Sequence, residues 1–403
     1  MDRSFIRRVT IRNYKSIAAC QIGLHELMFL VGRNGSGKSN FLDALRFVSE
    51  SLSTSLDHAL RDRGTIKDVR RRSGGHPNHF SIRLDFELPS GYTGYYSFRV
   101  GAKPGGGFEV QTEECRIVGL DALASEHYYR VESGQLKKAS FATGPACLSD
   151  RLYLVVASGL PEFRPLFDGL SRIEVYNLNP EKLREMQKPD PNKFLRRDGS
   201  NAASVLQRLP LETRQIINEH LSQIVPGIKE ANTMTMGLQE TIEFKQSVAG
   251  QKHPWQFLAS SMSDGTLRAF GILLSVFQSV GASDSQPLLI GLEEPEIALH
   301  PAASSILLSA LREGARHCQI IVTSHSPDLL NNADIDTDSL LSVESDEGLS
   351  KIGPIDEVGR KMLRERLFTA GELLQLNQLK TDPDAVRDVK HERSLKLFEL
   401  GEE

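Results

Sequence analysis

Apolar and polar positions divide the chain into segments of different period. Near the N-terminus, "FIRRVTIRNY", "IAACQIGL" and "ELMFLV" read as three short strands. The third is almost wholly apolar, as expected of a strand covered on both faces. A glycine-rich loop follows it. Phe41, Leu42, Leu45, Val48 and Leu52 then recur at helical spacing and form one face of an amphipathic helix. From Phe80 to about Val118 the period changes to two. "FSIRLDFEL", "YYSFRVG" and "GFEVQTEECRIV" are separated by the turn formers "PSGYTG" and "AKPGGG", which predicts an antiparallel meander. Residues 119–255 read as a mixed, mostly helical insertion. Its clearest helical stretch, "NAASVLQRLPLETRQIINEHLSQIV", is interrupted at Pro210. Beyond Gln286 the α/β alternation returns with a buried strand "PLLIGLEE", a helix "PAASSILLSALREGARH" and a buried strand "QIIVTSH". No heptad is sustained, so no long coiled-coil arm is expected.

With 403 residues the chain exceeds one small core, and two or three lobes are expected. The predicted division is a first lobe 1–118, the insertion 119–255, a second lobe 256–345 and a C-terminal helical segment 346–403. A net charge of −4 supplies no global field toward nucleic acid or anionic membrane, so any such binding needs a local patch. Cys20, Cys115, Cys147 and Cys318 are widely spaced and read as reduced buried thiols. The N-terminus lacks the apolar core of a signal peptide, and no apolar run approaches the roughly 20 residues of a membrane span. A cytoplasmic protein is expected.

Four motifs fit one site. Gly32-Arg33-Asn34-Gly35-Ser36-Gly37-Lys38-Ser39 matches the phosphate-loop pattern G-x-x-x-x-G-K-[ST] between a buried strand and a helix. The glycines let backbone N–H groups face phosphate oxygens, and the helix N-terminus adds positive potential. Gly32, Asn34, Gly35, Ser36, Gly37, Lys38, Ser39 and Asn40 are the candidate phosphate-binding residues. Lys38 can reach the terminal phosphates, and Ser39 can ligate Mg²⁺. In "LLIGLEEPE" an apolar strand ends in two carboxylates. Glu293 is the candidate metal carboxylate, and Glu294 is placed to orient or deprotonate an attacking water. Adjacent acids after a strand are weak evidence alone, and gain weight from the phosphate loop. In "IIVTSHSPDLL" a further strand ends at His325, which can hydrogen-bond a γ-phosphate or the attacking water. In "SSMSDGT", Ser263 and Gly265 precede a helix; a hydroxyl, a close-approaching backbone and a helix N-terminus make either a plain cap or an anion site.

The order of these motifs, with "NYKS" near the N-terminus, resembles the ATP-binding-cassette ATPases of the RecF, structural-maintenance-of-chromosomes and overcoming-lysogenization-defect group. "GRNGSGKSNFLDAL", "MSDGTLR", "LEEPEIALHP" and "TSHSPDLL" look like its small members. The resemblance covers about residues 1–115 and 255–345 and little of the middle. It implies an α/β fold, a P-loop ATPase head of the ABC type, with a mixed sheet plus the antiparallel meander in two lobes. It also implies ATP and Mg²⁺ as ligands. Two heads would sandwich two nucleotides, as a homodimer or within a higher oligomer, with Ser263 and Gly265 of one copy facing the phosphate loop of the other. Ala298–Pro301 would cross the dimer seam. Arg12, with Asn13 and Lys15, would lie near the base or α-phosphate. The signature reads Met-Ser-Asp-Gly-Thr where transporters have Leu-Ser-Gly-Gly-Gln. No glutamine loop stands out, Gln111 being the candidate.

Overcoming-lysogenization-defect proteins carry a metal-dependent nuclease after the ATPase. Fewer than eighty residues follow His325 here and show no carboxylate cluster, so a nuclease or toxin is expected as a separate effector chain. The primary expectation is an ATP hydrolase that gates such a phage-defence partner. A DNA-repair or DNA-end-sensing ATPase is the alternative, with Arg70–Arg72 as the local basic run on DNA, although such runs are more often solvated loops. "DIDTD", Asp334 to Asp338, starts like a calcium loop but has Ser339 and Ser345 where that loop needs Gly and Glu.

Overall fold

The computed structural model describes residues 4–72, 77–119, 125–280, 286–332, 335–390 and 396–401. The first three strands are β1 (Ile6–Tyr14), β2 (Ile17–Gly23) and β3 (Leu27–Val31). The meander runs through β4 (His79–Glu87), β5 (Thr93–Ala102), β6 (Phe108–Val118), β7 (Glu126–Glu132) and β8 (Gln135–Ala139). β9 (Ile173–Tyr176) precedes a hairpin and a third strand, β10 (Ile228–Met236), β11 (Gln239–Gln246) and β12 (Trp255–Leu258). The last four are β13 (Leu289–Glu293), β14 (Gln319–Ser324), β15 (Leu340–Asp346) and β16 (Leu349–Pro354).

All but β10–β12 join one sheet in the order β8-β7-β6-β5-β4-β1-β2-β16-β15-β3-β14-β13-β9. From β8 to β2 it is antiparallel. From β15 to β9 it is parallel. The apolar β3 lies in the parallel half and serves two cores. Met28 and Leu30 join the cluster beneath the helix Lys38–Ser53, while Phe29 and Val31 join the cluster around the helix Asp264–Phe277. This is the two-faced burial its sequence predicts. Phe41, Leu42, Leu45, Val48 and Leu52 are all buried. The rings of Phe47, Tyr14 and Phe80 pack edge to face with centroids 5.3–6.0 Å apart, a favoured aromatic geometry.

Two expectations need correction. The insertion is not mostly helical. It adds β7 and β8 to the meander, sends β9 into the parallel half beside β13, and builds the small sheet β10–β11–β12 next to its helices. The polar alternation of "IKEANTMTMGLQETIEF" about Gly237, at φ 64°, is the hairpin signal behind this. The C-terminal segment is not only helical either. β16 runs between β15 and β2 and joins the two halves of the sheet. The helix interrupted at Pro210 is seen as Ala202–Arg208 and Leu211–Ile224. Among the described residues no helix is long and apolar enough to cross a membrane.

Candidate active site

The phosphate loop leaves β3 at Val31 and enters the helix at Lys38. Gly32 N–H donates to the Ser324 carbonyl at 3.4 Å, tying the loop to the end of β14. Gly37 has φ 108°, and a Cβ there would collide with Ser350 Oγ. Ser350 donates to the Ser36 carbonyl at 2.6 Å and meets Ser16 Oγ at 2.6 Å, which also accepts from Asn40 Nδ2 at 2.6 Å. The loop is therefore braced by the β1–β2 turn and by β16. Ser16 ends the "NYKS" stretch, whereas Ser350 lies in no motif that could announce this.

Lys38 Nζ donates to the carbonyls of Gly32 at 2.8 Å and Arg33 at 3.1 Å. Burial lowers its pKa, against the opposing pull of Glu294 and Glu296. The Ser36 hydroxyl is buried without a partner, while Asn34, Gly35 and Ser39 are exposed at the mouth. In the first helical turn Asn40 N–H turns back to the Gly37 carbonyl at 3.0 Å, and the N–H groups of Lys38 and Ser39 precede the first intrahelical acceptor. An unpaired hydroxyl, a partly desolvated ammonium and exposed helix-start donors fit a phosphate ligand. Ser39, exposed, and Glu293 carry oxygen donors of the kind Mg²⁺ prefers.

The carboxylates end β13. Glu294 adopts φ 46°, strained for a side-chain-bearing residue. Its N–H is held by the Thr323 carbonyl at 3.0 Å and Thr323 Oγ1 at 3.2 Å. Glu294 Oε1 lies 3.0 Å from His325 Nδ1, close but off the line of a hydrogen bond, and 3.8 Å from Lys38 Nζ. The ends of three neighbouring parallel strands, β3, β14 and β13, thus bring Lys38, His325 and Glu294 to one point. Glu293 accepts from Arg197 Nη2 at 3.0 Å. Glu296 is buried; Ser324 donates to one oxygen at 2.6 Å, and the other has no partner. Burial raises its pKa. The "EEPE" spacing could have flagged Glu296. Arg197 had no signal, being 96 positions from its partner.

Ser263 and Gly265 have work within their own chain. Ser263 Oγ accepts from Thr266 N–H at 3.2 Å and caps its helix. A Cβ on Gly265 would stand 2.5 Å from the carbonyl oxygen of Ala298, so the turn packs against the 298–301 loop. Arg184 pairs with Asp264 and donates to the Met262 carbonyl at 3.1 Å. Among the described residues, no hydrogen bond or ion pair joins Ser263 or Gly265 to Lys38, Glu294 or His325.

Arg12 lies on β1, paired in register with Ala19 and Ser81. The turn after it reaches the phosphate-loop helix, where Lys15 Nζ meets Asp43 at 2.6 Å. Gln111 sits within β6 against Gly101 rather than in a loop. The strand next to β13 is β9, and Asn177 follows it. In the basic run, Arg70 donates to the Pro77 carbonyl and Arg72 pairs with Asp68. Residues 73–76 of that stretch, and Asp334 of "DIDTD", lie outside the described residues.

Two family models match the chain. One, described as "AAA domain, putative AbiEii toxin, Type IV TA system", spans residues 163–331. The other, "AAA ATPase domain", spans residues 5–96. No curated protein matches. Among solved structures, an Smc head bound to the C-terminal winged-helix domain of ScpA is similar over 86% of this chain and 96% of that one, at 15% identity and TM-score 0.53. An Smc head with an extended coiled coil, derived from Pyrococcus furiosus and bound to the C-terminal domain of ScpA, is similar over 91% of this chain and 100% of that one, at 14% identity and TM-score 0.55. The Pyrococcus yayanosii Smc head with a coiled coil and joint gives 91% and 100%, at 13% identity and TM-score 0.50. At such identities the structural likeness is one of fold. Residues 163–331 and 5–96 thus match models of AAA ATPase domains, and the fold is similar to that of Smc heads.

Proposed function

We propose that the chain binds ATP with Mg²⁺, pairs with a second copy around the nucleotide, and hydrolyses it to gate a separate effector protein. The observation that carries this reading is the meeting of Lys38, Glu294 and His325 at 3.0–3.8 Å beside the phosphate loop. Lys38 leaves the carbonyls of Gly32 and Arg33 and binds the terminal phosphates. Glu294 orients the attacking water and accepts its proton, and His325 hydrogen-bonds the γ-phosphate. Ser39 and Glu293 hold the Mg²⁺, which supplies charge neutralisation at the phosphates. Ser263 and Gly265 of the second copy complete the site with an exposed hydroxyl and a helix N-terminus. The toxin–antitoxin description of one matched model, and the separate ScpA domains bound to the Smc heads, favour an effector on another chain.

Glu294→Gln is expected to keep ATP binding and lose about 10²–10⁴-fold in turnover, and Lys38→Ala to lose binding. Wild-type hydrolysis by Glu294→Gln overturns the catalytic assignment. Mixing Lys38→Ala with Ser263→Arg subunits leaves one intact composite site, so recovery of ATP-driven pairing in the mixture supports the sandwich. Co-purification of a toxin or nuclease with the chain tests the effector.

A further inference from the structure

Arg197 and Glu293 meet across 96 positions of sequence, and the chain builds a turn to bring them together. Asn177 N–H donates to the Arg197 carbonyl and Asn179 N–H to that of Asp198, both at 3.1 Å, so the turn is fastened to the exit of β9 beside β13. Inside the turn, Asp198 Oδ1 accepts from Ser200 N–H at 3.0 Å and Asn201 Oδ1 from Arg196 N–H at 2.7 Å. Gly199 closes it at φ 84°, with Leu183 Cδ2 2.8 Å from where a Cβ would stand. Arg196 is tied away to Asp190 at 2.6 Å. Of two adjacent arginines, one anchors and the other is delivered to the site. The Arg197 side chain is 43% exposed while Glu293 is 16% exposed, so a largely solvated guanidinium on a hydrogen-bonded backbone covers a mostly buried carboxylate.

We propose that Arg197 is a phosphate ligand within its own subunit, moving from Glu293 to the terminal phosphate of bound ATP and giving the site its preference for a triphosphate over a diphosphate. This rests on the ATP-binding reading above. In the structure the two basic side chains of the site lie beside carboxylates of the β13 end, Lys38 3.8 Å from Glu294 and Arg197 3.0 Å from Glu293. A carboxylate serving a metal cannot also hold a guanidinium at hydrogen-bond distance without strong repulsion between the two cations. Arg197 is always charged, and its planar fork suits phosphate oxygens.

The test is binding of the full-length protein to the β,γ-imido analogue of ATP and to ADP, each with Mg²⁺, by calorimetry. Arg197→Ala is expected to weaken the triphosphate analogue about ten- to a hundredfold and to change ADP by less than about twofold. Arg197→Lys keeps the charge without the fork and should recover part of the loss. Unchanged affinities overturn the proposal. So does equal tightening of both ligands, which would make Arg197 only a counter-charge for Glu293, or equal weakening, which would make it a prop for the turn. A wild-type protein that binds neither nucleotide overturns the ATP reading itself.

Discussion

Gly265→Ala separates two reasons for a glycine in the signature turn. In the isolated chain its ideal Cβ would sit 2.5 Å from the Ala298 carbonyl oxygen, with the carbonyl carbon at 3.7 Å. An ordinary carbon–oxygen approach is about 3.3 Å, so helix or loop must yield by roughly 0.8 Å by the same measure. Neither is free to do so. Ala298 is already at φ 65°, and the helix start is fixed by Ser263 and by Arg184 on Met262. Overpacking of this kind costs about 1–3 kcal/mol, offset by about 0.5–1 kcal/mol for replacing a helical glycine. With mid-range values the net loss is about 1 kcal/mol, or a fall of about 1–2 °C in melting temperature for a chain of 403 residues. The assay is thermal unfolding without nucleotide, where no second copy is engaged, followed by ATP-driven pairing. A nucleotide-free melting point equal to or above wild type would refute the packing argument. Loss of pairing without loss of stability would then assign the glycine wholly to the partner's site.

Three further outcomes follow from buried charge. Desolvation, with the charge of Glu50 adding to it, raises the partly buried Glu174 on β9 to about 7. A folded-state pKa above the unfolded one gives stability that is present below about pH 4.5 and lost as pH rises through 7. Glu174→Gln should abolish that loss and melt higher at pH 8 by up to about 3 kcal/mol, and parallel pH profiles would rule this out. Burial would raise Asp43, but Arg63 and Lys15 hold it far below the usual carboxylate range. Its stabilisation is present above about pH 4 and lost as pH falls, so Asp43→Asn should cost about 3 kcal/mol at pH 7 and progressively less in acid, read from melts across pH. Buried Glu113 accepts from the Tyr96 and Tyr129 hydroxyls and from Tyr153 and Leu154 N–H. Glu113→Leu leaves these donors unpaired and should cost about 3–5 kcal/mol in urea unfolding, whereas a loss below about 1 kcal/mol would show that water replaces the carboxylate.

Features that were legible in the sequence are those whose partners lie nearby in the chain. The two-faced burial of β3, the helix face from Phe41 to Leu52 and the phosphate loop between them are local patterns. The structure repeats them. Unreadable features join distant segments. β16 entering between β15 and β2 cannot be inferred from "LSKIGP", and only that insertion puts Ser350 against Gly37. The small sheet was missed because the exposed Met234, Met236 and Leu238 blur the alternation of its hairpin. The cap at Ser263 is local and readable from its place before a helix, while the contact of Gly265 with Ala298 needs coordinates.

The adjacent glutamates show why the site was only half visible. Two like charges side by side at a strand end repel by about 1–4 kcal/mol unless each has its own counter-charge. The turn at Glu294, with φ 46° held by Thr323, gives them different partners. Glu293 meets Arg197, while Glu294 meets Lys38 and His325. The strain of that conformation, about 1–3 kcal/mol, is sustained because Lys38, Arg197 and the His325 ring converge on the two acids. Those partners come from the helix after β3, the end of β14 and the turn after β9. A sequence can display the acids as "EE". The partners that make the pair tenable are assembled only when β3, β14, β13 and β9 lie side by side.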